Sequence, residues 1–188
     1  MKKIYENFIG KTTDAYELID FLKKNLSIEL RLPIDIKEIL KLLQIPYNEK
    51  PNFKQIKLDG QITISNGEPL IWANPMKITI EERKRFTLAH ELGHFLLHIA
   101  PNKDLESQKG FQDSSISFNR DDNWDYKEME ANNFASQLLM PSSLLKDEIK
   151  CIINENPNIK KEDLIFELSK KFFVSEAAMK FRLKSMGV

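Results

Sequence analysis

Residues 86–98 read FTLAHELGHFLLH, with His90 and His94 four residues apart and Glu91 between them. On an α-helix, positions i and i+4 lie one turn apart on nearly the same face. Two imidazoles so placed can grip one borderline-soft cation, and zinc is the usual choice. Glu91 stands beside them without having to ligate. There it can take a proton from water that the metal acidifies, and H-E-x-x-H is the sequence form of that arrangement. The chain has three histidines, His90, His94 and His98, and all fall in this one stretch. Packing or solubility requires no such clustering, so a metal site is the stronger reading.

The stretch predicts its own surroundings. Phe86, Leu88, Ala89, Leu92, Phe95, Leu96 and Leu97 cover most of the helix circumference, which marks a buried helix. Thr79 with Glu82 predicts a capping box at its start, and Pro101 a stop, so the helix runs over residues 80–99. Gly93 costs helix stability, and is read as room for another element to approach closely.

Composition sets the class. The chain has 188 residues, 41% hydrophobic and 30% charged, with a formal net charge of zero. That is ordinary for a globular protein and gives no global basic surface for nucleic acid. A single cysteine, Cys151, cannot form an internal disulfide, which favours a reducing compartment. The opening MKKIYENFIG lacks an apolar core for a secretory signal, and no apolar run is long enough to span a bilayer. A cytoplasmic protein with no membrane partner is the expectation.

Upstream of the motif, residues 14–30 carry apolar positions at helical spacing. Asp35, with Glu38 three residues on, predicts the capped start of a second helix that ends before Pro46. Residues 61–65 and 70–73 are apolar runs flanking Asn66-Gly67, which predicts a β-hairpin. Residues 47–58 are mixed and could hold an irregular strand. Downstream, residues 101–125 are polar and aperiodic, a long functional or mobile loop. Asp125 is then expected to cap a helix from Tyr126 to Met140, stopped by Pro141. Another helix follows Pro141, and the tail reads as two short helices separated near Phe173-Val174-Ser175. The fold expected is α+β: a mainly helical, zincin-like domain with a small β-sheet or hairpin. One domain spans 1–188, with a peptidase core at 14–158 and a helical, helix-turn-helix-like tail at 159–188 packed on it.

Two histidines do not complete a catalytic zinc site, which takes three protein ligands and an open position. His98 lies about 12 Å along the axis from His90 at about 1.5 Å rise per residue, too far to share the ion. The helix after the loop offers Glu128 and Glu130, which point about 160° apart, so only one can face the histidines. Glu128 borders the buried side marked by Ala131, Phe134, Ala135 and Leu138 and is the favoured ligand, with Glu130 the remaining candidate. Asn132 is placed to hydrogen-bond a ligand histidine and fix its tautomer. Tyr126, His98 and Arg120 are candidates for stabilising an oxyanion.

The strings RFTLAHELGHFLLH and EMEANNFASQLLMP, with Arg120-Asp121 between them, resemble the ImmA/IrrE family of zinc metallo-endopeptidases. PIDI at 33–36 and VSEAAMKFRL at 174–183 fit the same family. The likeness implies zinc ligands at His90, His94 and Glu128, with Glu91 catalytic. The run Glu128–Phe134 is also similar to the third-ligand helix of gluzincins, where an Asp stands in place of Asn132. The family implies a protein substrate, a transcriptional repressor encoded nearby on a phage, a mobile element or in a stress circuit. The competing expectation is a non-catalytic zinc-containing regulator that acts by binding a partner. The tail counts seven basic residues against four acidic from Ile159 to Val188, too mild an excess to favour DNA binding over packing.

Overall fold

A computed structural model describes residues 2–105, 111–112 and 122–188, with side chains described from Tyr126 onward in the last segment. It is an α+β, mainly helical fold. Helix α1, Ala15–Leu26, starts at Asp14, whose side chain accepts from Glu17 N–H at 2.8 Å. It stops four residues before Leu30, short of the expected end. Ser27 turns left-handed there (φ 52°), and its N–H bonds back to the Leu22 carbonyl. Helix α2, Ile36–Leu43, begins as expected with Asp35 Oδ1 accepting from Glu38 N–H at 3.0 Å.

The sheet holds the site helix from one side. Strand β2, Gly60–Ser65, and strand β3, Glu68–Ala73, form the expected hairpin, with Ile62 opposite Ile71 and Ser65 opposite Glu68. Asn66 (φ 52°) and Gly67 (φ 73°) both take positive φ, as a type I′ turn requires. The mixed stretch 47–58 does supply a strand, β1, Tyr47–Asn48, parallel to β3. Strand β4, Phe111–Gln112, pairs antiparallel with β2, so the sheet order is β1-β3-β2-β4. Two-residue strands carry no periodicity, which is why β1 shows in the sequence only as an irregular strand somewhere in 47–58 and β4 does not show at all.

Helix α3, Glu81–His94, carries the motif. The expected Thr79 cap does not form: Ile80 is the N-cap and makes no side-chain cap bond. Glu81 and Glu82 in the first turn instead complement the helix dipole. Nor does the α-helix continue to residue 99. From Phe95 to Ile99 it widens into a π-helical turn, a feature that often accompanies functional sites.

Helix α4, Asp122–Leu139, packs along α3. It begins one turn before the expected start, so Asp125 lies inside the helix and is not its cap. Gly93 makes the close approach expected of it: a Cβ there would lie 3.0–3.2 Å from the Phe134 side chain. Helices α5, Ser142–Glu155, α6, Lys161–Phe172, and α7, Glu176–Ser185, complete the chain.

The tail shares the main core. Leu168, Phe172, Met179 and Leu183 join the same buried cluster as Leu88, Leu92, Phe134 and Leu138. Two buried arginines fasten it. Arg85 of α3 donates to the carbonyls of Phe172 and Phe173 at the end of α6, and to Ile34 O at 2.5 Å. Arg182 of α7 donates to Met140 O at 3.0 Å and to Tyr16 Oη at 3.2 Å. No helix among the described residues is long and apolar enough to cross a membrane.

Candidate metal centre

One turn of α3 puts the rings of His90 and His94 side by side, with Nε2 atoms 2.9 Å apart. Glu128, in the part of α4 that crosses them, completes the group. Its Oε2 lies 3.2 Å from His90 Nε2 and its Oε1 3.1 Å from His94 Nε2. Four ligands at about 2.0–2.1 Å around a tetrahedral ion are separated by about 3.3–3.4 Å. The three contacts are close to that edge length, so the donors already surround a space of the right size. Among the described residues, these three form the group able to hold a metal ion. Glu130, the other candidate, lies away from the group, with Oε2 3.9 Å from His98 Nδ1.

The protonation states suit a divalent cation. Burial pushes His94 down to about 4, against the opposing pull of Glu128 and with the help of neighbouring His90. Burial alone would raise the Glu128 carboxyl, but its close contacts with His90 and His94 outweigh it and hold it at about 2. At neutral pH the centre therefore presents an ionised carboxylate beside an uncharged His94 ring. His90 Nδ1–H donates to Asn132 Oδ1 at 3.1 Å, which leaves the Nε2 lone pair facing Glu128 and His94. This is the orienting role expected of Asn132.

Glu91 is fully buried, with its carboxylate against the start of β2. A Cβ at Gly60 would lie 2.6 Å from Glu91 Oε1 and 2.5 Å from Thr87 Cγ2. The absence of a side chain at residue 60 is what lets β2 pass so near the Glu91 carboxylate. No pattern around Gly60 announces this, because the contact joins residues 31 apart in the chain.

The centre opens into a recess of about 210 Å³ lined by Asp59, Arg83, Phe86, Thr87, His90, Glu128 and Asn132. Arg83 was not among the sequence candidates. Its seven-residue spacing from His90, two helical turns, was the available signal. Arg83 Nη2 is 2.6 Å from Asp59 Oδ2, and Asp59 Oδ1 also pairs with Lys77 Nζ at 2.6 Å. Two of the sequence candidates for an oxyanion partner, His98 and Tyr126, do not line this recess. His98 Nε2 is 3.2 Å from Lys127 O, so it ties the π-turn to the residue before Glu128. Tyr126 is exposed and lines a separate hollow with Asp14, Leu97 and Met129. Arg120 lies outside the described residues.

A helix-borne H-E-x-x-H, closed by a glutamate from a second helix, is the ligand arrangement of a metallopeptidase-type centre. The chain belongs to the ImmA/IrrE family: the family model Peptidase_M78, described as the IrrE N-terminal-like domain, matches residues 52–184. That stretch contains the hairpin, both site helices and nearly all of the tail. A search of curated proteins finds no match. The family supports a metallopeptidase-like role for the chain.

Proposed function

We propose that the chain is a zinc-dependent endopeptidase that inactivates a regulatory protein, a helix-turn-helix repressor, by cutting it. The observation that carries the hydrolytic part is the convergence of His90, His94 and Glu128 at spacings of 2.9–3.2 Å beside an intact Glu91. The repressor rests on family likeness alone.

His90, His94 and Glu128 would hold the metal. Zinc suits two imidazoles and one carboxylate, and a closed structural zinc site would instead draw on cysteines, of which the chain has one. Once bound, such a cation acidifies water toward neutrality and polarises a carbonyl. Glu91 then accepts the proton of the attacking water and returns one to the leaving amine. Asn132 keeps the His90 lone pair directed inward. Arg83, which pairs with Asp59, is the cationic residue in the lining of the recess.

Expressing the chain with a small helix-turn-helix repressor encoded beside it tests this reading. Wild type should cleave the repressor, whereas Glu91→Gln should keep zinc and lose cleavage by at least about 100-fold, the lower end of what a general base contributes. Cleavage by Glu91→Gln at a near-normal rate would remove the mechanism. Repressor binding without cleavage by either form would favour the non-catalytic regulator.

A further inference from the structure

The metal recess does not end at the metal. Glu128 and Asn132 also line a larger adjoining cleft of about 430 Å³ whose other walls include Phe86, Met129, Ala178 and Phe181. Its volume falls within the range of about 300–1,000 Å³ typical of ligand pockets. Met129 and Phe181 stay 50% and 52% exposed although large and apolar. Glu128 is the cleft's titratable residue, and its carboxylate turns to the histidines. A charged side chain entering would lose water and meet only the neutral Asn132, Asn133 and Ser136 besides the Glu128 carboxylate turned to the histidines, whereas an apolar one would cover Met129 and Phe181.

Helix α7, which contributes Ala178 and Phe181, is held as a fixed wall. Its opposite face buries Met179 and Leu183, and Arg182 bonds to Met140 O. Phe86 and Ala178 also bound a second hollow of about 410 Å³ that runs along the first turns of α3 past Val174 to Glu82 and Arg83. The apolar surface is therefore one groove that starts at the metal centre.

Resting on the peptidase reading, we propose that α7 of the tail is a substrate-specificity element. With Phe86 and Met129, it forms the pocket for a large apolar side chain next to the peptide bond that is cut. The occupant is a leucine-, methionine- or phenylalanine-like residue of the substrate. The warrant is continuity: the pocket shares Glu128 and Asn132 with the metal recess. The tail thus helps to choose the substrate as well as completing the core.

The test uses the zinc-loaded full chain and small chelating probes read by calorimetry. Acetohydroxamate reports the metal centre alone. Hydroxamates of N-acetylated leucine, phenylalanine, glutamate and lysine add one side chain each. The leucine and phenylalanine probes should bind at least 10-fold tighter than acetohydroxamate, and the glutamate and lysine probes no tighter. Phe181→Glu should abolish that 10-fold preference, and Ala178→Leu should exclude the phenylalanine probe. Both should keep zinc content and acetohydroxamate affinity. Phe53→Glu, at a remote exposed site, should change nothing. Acetohydroxamate binding with equal affinity across the series overturns the pocket and leaves the peptidase reading standing, as does a preference untouched by both groove variants. A zinc-loaded chain that does not bind acetohydroxamate overturns the peptidase reading and the pocket with it.

Discussion

Asn132 Oδ1 accepts from His90 Nδ1–H at 3.1 Å, so a residue 42 positions downstream sets which nitrogen of His90 faces the metal space. Glu128, one helical turn before Asn132, faces the same space. A single turn of α4 therefore supplies both a ligand and the group that orients another ligand. Losing the acceptor should free the His90 ring to rotate. Asn132→Ala is expected to weaken zinc binding about 10–100-fold, and Asn132→Asp to match or exceed wild type, because a carboxylate polarises the ring more. A competition titration with a chromogenic chelator measures both. Equal affinity for wild type and Asn132→Ala would show that the contact does not orient His90.

Gly60 makes a second test of the site. An added methyl meets Glu91 Oε1 and Thr87 Cγ2 inside ordinary contact distance. Gly60→Ala should therefore displace Glu91 or β2, at a cost of about 1–3 kcal/mol in stability. It should lower activity more than zinc affinity, since His90, His94 and Glu128 lie on the two helices. Urea unfolding, zinc titration and cleavage measured on one preparation separate the effects.

Gly93→Ala sets two effects against each other. Alanine favours an α-helix by about 1 kcal/mol over glycine. Here its methyl lies 3.1 Å from Phe134 Cβ, an atom fixed to the backbone that no rotamer change can withdraw. Overpacking costs about 1–3 kcal/mol, so the net result should be destabilising. Urea midpoints measure it. A stabilised Gly93→Ala protein would show that α3 and α4 can move apart without cost.

Arg85 joins α3 to the end of α6 through the carbonyls of Phe172 and Phe173, and to the chain before α2 through that of Ile34. Arg85→Met should leave those buried acceptors unpaired and cost at least about 2 kcal/mol. Limited proteolysis should then cut first near residues 172–175. Arg85→Lys should rescue only part of the loss, because an ammonium cannot reproduce the fork of a guanidinium.

The Asp59 cluster gives the pH dependence its sign. Burial raises the Asp59 carboxyl, but hydrogen bonds and charges from Lys77 and Arg83 outweigh it and hold it below the ordinary aspartate value. A depressed carboxylate contributes stability that is fully present above the unfolded value and disappears as pH falls through the folded one. Asp59→Asn should thus cost about 1 kcal/mol at pH 7 and progressively less as pH falls below the ordinary carboxylate range. Unfolding curves at neutral and acid pH check it. A cost that does not change with pH would mean the Lys77 and Arg83 pairs contribute nothing.

The sequence alone determined what depends on neighbours along the chain. His90, Glu91 and His94 share a helix face because they lie within one turn, and Asn66-Gly67 takes a turn that only a few residue pairs accept. Asp14 and Asp35 start helices by bonding to backbone three residues on. Asn132 could be read for the same reason, being one turn from Glu128. Tertiary structure decided whatever joins distant residues. Thr79 had a capping pattern, yet α3 starts after Ile80. The π-turn at Phe95–Ile99 has no local signature, and it carries His98 to the Lys127 carbonyl rather than toward the metal. Gly60 beneath Glu91, Arg85 against the end of α6 and Phe181 in the groove beside Glu128 are juxtapositions across dozens of residues. Helical periodicity gives the face on which a side chain lies, but the element that packs against that face follows only once the whole core has formed.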